Sequence, residues 1–171
     1  DVAADGGDEM VVARSIGDLG QIVHSSTGSA NVNAVDVAGK VLIQIRRAEA
    51  LRKAIGTEAP IRVKIDGIGV GWGVASTLEA WRSEGIHDAE IVSVIVSEDT
   101  YREDEGETLR PNRKRDEMWL TGRSLLQPNV PQNDGEPVGS IRLALDKRAK
   151  TQMSAPTYST NSAGRTVIEA K

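Results

Sequence analysis

Two aspartates stand where a chain could assemble an acidic catalytic centre. Asp1 falls within the first expected strand, and Asp66 closes the alternating run Ile61-Arg-Val-Lys-Ile65. Neighbouring strands of one sheet can bring two such carboxylates close together. Carboxylates that close repel, so the pair favours a shared proton or a divalent cation between them. Two cations held ~4 Å apart can activate a water and stabilise the leaving oxygen of a phosphodiester. A plainer reading makes Asp1 a solvated residue and Asp66 a strand-end turn residue. Spacing alone leaves both readings open.

Directly after Asp66 come Gly67, Gly69, Gly71 and Gly73, between an expected strand and an expected helix. Such a loop can bring backbone N–H groups to a phosphate at a helix N-terminus. The dinucleotide fingerprint is not met, because Trp72 or Val74 occupies the place of its third glycine. Asp66 would also set a negative charge beside the pyrophosphate. No Gly-Lys-Ser/Thr comes after it, which excludes a Walker loop. The glycines have a bland alternative: they permit a tight turn and close helix packing.

One dense basic run, Arg110-Pro-Asn-Arg113-Lys114-Arg115, could hold nucleic-acid phosphates by charge. It could equally balance the acidic stretch at 103–107, and cations sit unfavourably at a helix N-terminus. Trp72, Trp81 and Trp119 could stack on bases. Helical spacing with Val74 and Leu78 assigns Trp81 to the core, and Trp119 beside Met118 reads the same way. With no cysteine, and with His24 and His87 far apart, thiolate and histidine metal sites are excluded. Any metal must be a hard cation on oxygen ligands, such as Mg2+ or Mn2+.

Several elements would position these groups. Val2–Ala3 and Met10–Ala13 read as strands about the Gly6–Gly7 turn, and Gln21–Ser25 as a third strand. Asn33 to Ile55 reads as a helix, with Ala34, Ala38, Val41, Leu42, Ile45 and Ala48 on one face. Asn33 suits its N-cap and Gly56 its stop. Further expectations are a helix over Val74–Ser83, a strand over Glu90–Val96 and helices over Asn112–Leu126 and Ile141–Met153. A hairpin from Thr157–Thr160 and Arg165–Glu169 would close the chain. Three strands followed by strands alternating with helices imply an α/β fold, a mixed sheet flanked by helices with a C-terminal β-hairpin. That element order is the ribonuclease H-like one.

The 171 residues suffice for a single domain with a core. Aromatic residues make up 3%, with no Phe, so the core must rest on Val, Ile, Leu and Ala. A formal net charge of −4 argues against general nucleic-acid binding and requires any DNA contact to be a local patch. No apolar run approaches the ~20 residues needed to cross a bilayer, and no signal-peptide pattern opens the chain. A soluble intracellular protein is therefore expected.

Three stretches resemble the nuclease domain of the tailed-bacteriophage or prophage large terminase subunit. They are Asp1-Val-Ala-Ala-Asp-Gly-Gly-Asp-Glu-Met-Val-Val, Val63-Lys-Ile-Asp-Gly-Ile-Gly-Val-Gly-Trp-Gly-Val74 and Asn112-Arg-Lys-Arg-Asp-Glu-Met-Trp119. The tail, from Ala155-Pro-Thr-Tyr158 to Gly164-Arg-Thr-Val-Ile-Glu-Ala-Lys171, resembles the family's late hairpin. The resemblance implies a ribonuclease H-like fold in which three acidic residues bind two Mg2+ or Mn2+ ions and cut double-stranded DNA during genome packaging. Asp1 matches the first acidic position and Asp66 the second. The third lies in a helix beyond the hairpin, and Lys171 falls before it. The family's N-terminal ATPase motor is absent as well, so weak metal binding and poor cutting are expected of residues 1–171. Glu117 matches a position of structural role; Asp5 and Asp8 receive none. By the same resemblance, the partners would be the portal protein and the small terminase subunit, in the host-cell cytoplasm. Two rivals are a nucleotide-binding α/β enzyme using residues 67–73 and a non-catalytic module docking DNA or the portal.

Overall fold

The computed structural model describes residues 9–28, 31–100, 109–127 and 140–169. The expected opening strand and Asp1 lie outside them. The structure is mixed α/β, and the described residues form two compact units where the sequence suggests one domain. One takes in 9–13 and 22–95, the other 14–21 and 96–169.

The first unit is built on α1 (Ala34–Ile55), β3 (Arg62–Asp66), α2 (Val70–Ser83) and β4 (Glu90–Val94). The Asn33 side chain accepts the Val35 N–H at 2.8 Å and satisfies an orphan donor at the start of α1. Gly56 ends the helix at φ 69°, a left-handed conformation that glycine adopts freely, and its N–H reaches back to the last turn. Asp36 in the first turn and Arg52 and Lys53 in the last complement the helix dipole. The buried stripe of α1 is Val37, Ala38, Val41, Gln44 and Ile45. It packs with Val74, Ala75 and Leu78 of α2, and with Ile65, Ala89 and Met10.

Strands β3 and β4 pair in parallel, from Arg62↔Glu90 to Asp66↔Val94, with α2 as the crossover. Their alternation puts Val63 and Ile65 on the core side and Arg62 and Lys64 outside. A Cβ on Gly73 would lie 2.9 Å from the Ala34 Cβ, so the glycine lets the starts of α1 and α2 approach closely.

Strands β1 (Glu9–Ile16) and β2 (Leu19–Thr27) form a hairpin whose tip belongs to the second unit. Gly17 has φ 55° and Asp18 a negative φ, the pattern of a type II′ turn. At that tip β2 pairs in parallel with β5 (Arg142–Ala144), Leu19 facing Arg142. The second unit also holds α3 (Lys114–Leu126), α4 (Lys147–Ser154) and the antiparallel pair β6 (Tyr158–Thr160) and β7 (Thr166–Ile168).

The continuous helix expected over 141–153 is corrected: three residues are strand and the helix starts at Lys147. Ile141, Leu143 and Leu145 alternate, and Asp146 caps α4 by accepting the Ala149 N–H at 2.7 Å. The described strands lie in three small sheets, ordered β1-β2-β5, β3-β4 and β6-β7.

Candidate functional site

Asp66 ends β3 at the carboxyl edge of the parallel pair, half-buried. One carboxylate oxygen accepts the Ile68 N–H at 3.3 Å, a long Asx-turn bond of the kind the plainer reading anticipates. No described donor reaches its other oxygen. The Gly67 N–H continues the ladder, donating to the Val94 carbonyl at 2.9 Å.

Three glycines shape the passage from β3 into α2, each for its own reason. A Cβ on Gly67 would collide with the Ser93 hydroxyl, and one on Gly71 with the Asp66 carbonyl. Gly69 has φ 61° and serves as N-cap of α2. The helix begins at Val70 instead of Val74, so Gly71 and Gly73 are helical and the true loop is 67–69. Gly71 can enter the helix because the missing side chain lets its first turn rest directly on the strand end. That turn carries no acidic residue and no side-chain cap.

Trp72 stands on this first turn with 68% of its surface exposed, and Ile68 beside the loop is 50% exposed. Trp81, in contrast, packs against the core as its spacing predicts.

Asp66 offers one carboxylate oxygen at the sheet edge, a ligand of the type hard cations take. Asp1, the second expected ligand, lies outside the described residues. Among the described residues no group of three or more His, Asp or Glu could hold a metal.

The basic run is mostly turned to internal use. Arg113 donates to the Ser97 carbonyl at 3.1 Å and pairs with Asp99 at 2.8 Å. Lys114 pairs with Glu117 at 3.2 Å, and the Arg115 guanidinium donates to the Ile168 carbonyl. Glu117 also accepts the Thr100 hydroxyl at 2.6 Å, which suits a structural role. Arg110 is exposed. Further cations that the sequence did not single out, Lys147 and Lys150, are exposed on α4, a helix with no buried residue.

Two buried polar groups also escaped the sequence reading. Asp116 is 1% exposed and accepts two backbone N–H bonds at 2.8 Å, from Arg113 and from Ile168. It is half of a capping box, the half that arginine at the N-cap can receive, since arginine has no acceptor to return. The Arg113-x-x-Asp116 spacing was the available signal. Asn31, fully buried, accepts from Ser26 and from Lys40, both at 2.9 Å, and donates to the Ser26 carbonyl at 2.8 Å. With the Ser26 hydroxyl donated to Asn31, this cluster fastens the approach to α1. His87, buried, bonds the Leu78 carbonyl through Nε2 at 3.1 Å and packs as a core residue.

No protein-family model matches this chain, and no curated protein is similar to it.

Proposed function

We propose that the chain is a metal-dependent nuclease domain of the large-terminase type, with a ribonuclease H-like fold, hydrolysing phosphodiesters of double-stranded DNA. The observation that carries this reading is Asp66: a carboxylate at the carboxyl edge of β3, with an oxygen that no described donor takes. The carboxyl edge of parallel strands is where open α/β sheets place their ligands. A hairpin followed by α1, β3, α2 and β4 supports the same fold assignment.

In this reading Asp66, with Asp1, holds Mg2+ or Mn2+. The bound ions supply an activated water and charge stabilisation of the leaving oxygen. Gly67 and Gly71 let the loop and the first turn of α2 pack directly on the strand end, and Gly69 turns the chain between them, so the three shape the floor of the site. In the basic run proposed to contact backbone phosphate, Arg110 is exposed, and Arg113, Lys114 and Arg115 have partners inside the protein. A nucleotide-binding role for the loop is the weaker reading, because the Asp66 charge repels a pyrophosphate.

Nicking of supercoiled plasmid in Mn2+ tests the proposal. Wild-type protein is expected to nick slowly, EDTA to stop it, and Asp66→Ala to reduce it by ~100-fold or more, as for loss of a key electrostatic group. Nicking that survives Asp66→Ala, or no metal-dependent nicking, overturns it.

A further inference from the structure

We infer that Lys64 is a phosphate contact of the Asp66 site, so that the DNA backbone lies on the β3 face carrying these two residues. The inference rests on the proposed nuclease reading and names a substrate-binding residue and the face the substrate takes.

Period-two alternation places Arg62, Lys64 and Asp66 on one face of β3, while Val63 and Ile65 of the other face pack into the apolar cluster. Lys64 and Asp66 are neighbours along their face, with Cα atoms about 6.6 Å apart at the usual strand rise. Among the described residues no carboxylate pairs with Lys64, and Asp66 is no exception. Two places back on the same face, Arg62 pairs with Glu90 of β4 at 2.7 Å. Opposite Lys64 in the register stands Val92, which offers its side no acceptor.

The other cations of this unit are accounted for. Arg46, Arg52 and Arg82 pair with Glu49, Asp88 and Glu79. Lys40 and Arg47 donate to the side chains of Asn31 and Gln44. Lys53 lies in the last turn of α1, where the helix dipole favours a cation. Lys64 has neither kind of support. It is exposed at the middle of a five-residue strand, a place that lysine does not favour.

An unpaired ammonium beside a carboxylate oxygen that no described donor takes suits a ligand carrying both signs of charge. A bare anion would meet the Asp66 charge, and a bare cation the Lys64 charge. A phosphodiester accompanied by a divalent cation satisfies both, the cation at Asp66 and a phosphate oxygen at Lys64. Such a contact holds the DNA backbone in place and carries no sequence information.

The test is duplex binding in EDTA, where no cutting intervenes, over a range of KCl concentrations. Lys64→Gln should lower the slope of log affinity against log salt by about one and weaken binding to all sequences alike. Lys64→Arg should keep the wild-type slope, and so should Lys53→Gln, which removes a cation from the end of α1. Thermal melting of each variant verifies the fold.

An unchanged slope in Lys64→Gln, an equal fall in Lys53→Gln, or no duplex binding by the wild type overturns the inference. Plasmid nicking in Mn2+ reads the nuclease chemistry separately. Nicking that depends on Asp66, together with an unchanged Lys64→Gln slope, keeps the nuclease reading and removes this contact. A Lys64-dependent slope without metal-dependent nicking keeps the contact and removes that reading.

Discussion

Around β3 and β4, ten apolar side chains form one buried cluster, while the buried described residues of the other unit are Pro111, Asp116, Thr166 and Ile168. The two units meet the entropy of folding by different forces. In the first, two helices of 22 and 14 residues cover five-residue strands, and apolar area removed from water supplies the stability. In the second, strands of three residues cannot bury much, and short polar bonds tie the parts together.

The Thr166 N–H donates to the Arg110 carbonyl at 2.6 Å, and the Asn112 N–H to the Thr166 carbonyl at 3.1 Å. Asn161 donates to the Asn112 side chain at 3.2 Å, and Arg165 to the Pro111 carbonyl at 3.2 Å. A basic run that looks from the sequence like a ligand surface is thus largely spent on architecture.

This contrast makes the sharpest demand on Leu78. Its side chain is fully buried between α1 and the parallel strands. Leu78→Ala is expected to cost about 2–5 kcal/mol, the transfer term plus the cavity term. Urea unfolding measures the loss, and amide exchange should speed up in α1, α2, β3 and β4. A cost below ~1 kcal/mol would mean that the cluster is not the main source of that unit's stability.

Asp116 is the polar counterpart. Removing its carboxylate strands the buried N–H groups of Arg113 and Ile168, at about 1–3 kcal/mol for each group left unsatisfied. Asp116→Ala should therefore cost about 2 kcal/mol or more, with exchange rising at β7 and the start of α3. Asp116→Asn should recover part of the loss, because the amide oxygen accepts one N–H while the NH2 group cannot accept the other. If alanine and asparagine behave alike and both are nearly neutral, polar fastening of this unit is refuted.

The same contrast explains what could be read in advance. α1 was legible because Ala38, Val41 and Ile45 repeat at helical spacing between a polar cap and a glycine stop. Its burial and its periodicity have a single physical cause. The start of α2 was not legible: glycines signal a loop, and only contact with the Asp66 carbonyl makes Gly71 a helical residue. The strand β5 was missed because its partner, β2, lies more than a hundred residues earlier, and three residues of alternation carry little signal beside the helix former-rich 147–154. The partners of Arg113, Lys114 and Arg115 were not legible, because charge identifies a cation, while only the fold reveals the carbonyl or carboxylate beside it. For the candidate site, the position of Asp66 at the end of β3 was foreseen, and the exposure of Trp72 was not, since both buried and exposed tryptophans fit a helix start.

The smallest expected effect compares two exposed ion pairs, one in each unit. Arg142 grips Asp18 with two bonds, at 2.9 and 3.1 Å, and holds that carboxyl below the ordinary aspartate range, chiefly through the side-chain hydrogen bond. Arg52 does the same to Asp88 across 2.8 Å. A carboxyl held low contributes stability above its unfolded value, near pH ~4, and loses it as pH falls through the shifted folded value. Asp18→Asn and Asp88→Asn should each lower the melting temperature slightly at neutral pH, and the difference from wild type should vanish in acid and shrink in high salt. The two losses should not be equal. Asp88 borders the well-buried Ala89 and adds little to a unit already fixed by its core. Asp18 joins the hairpin tip to β5, where its own carbonyl also receives the Arg142 N–H at 2.6 Å, and a three-residue strand has few other attachments. Amide exchange at Arg142–Ala144 should therefore rise more in Asp18→Asn than exchange in β4 rises in Asp88→Asn. The reverse order would show that the second unit draws its cohesion from something other than its polar bonds.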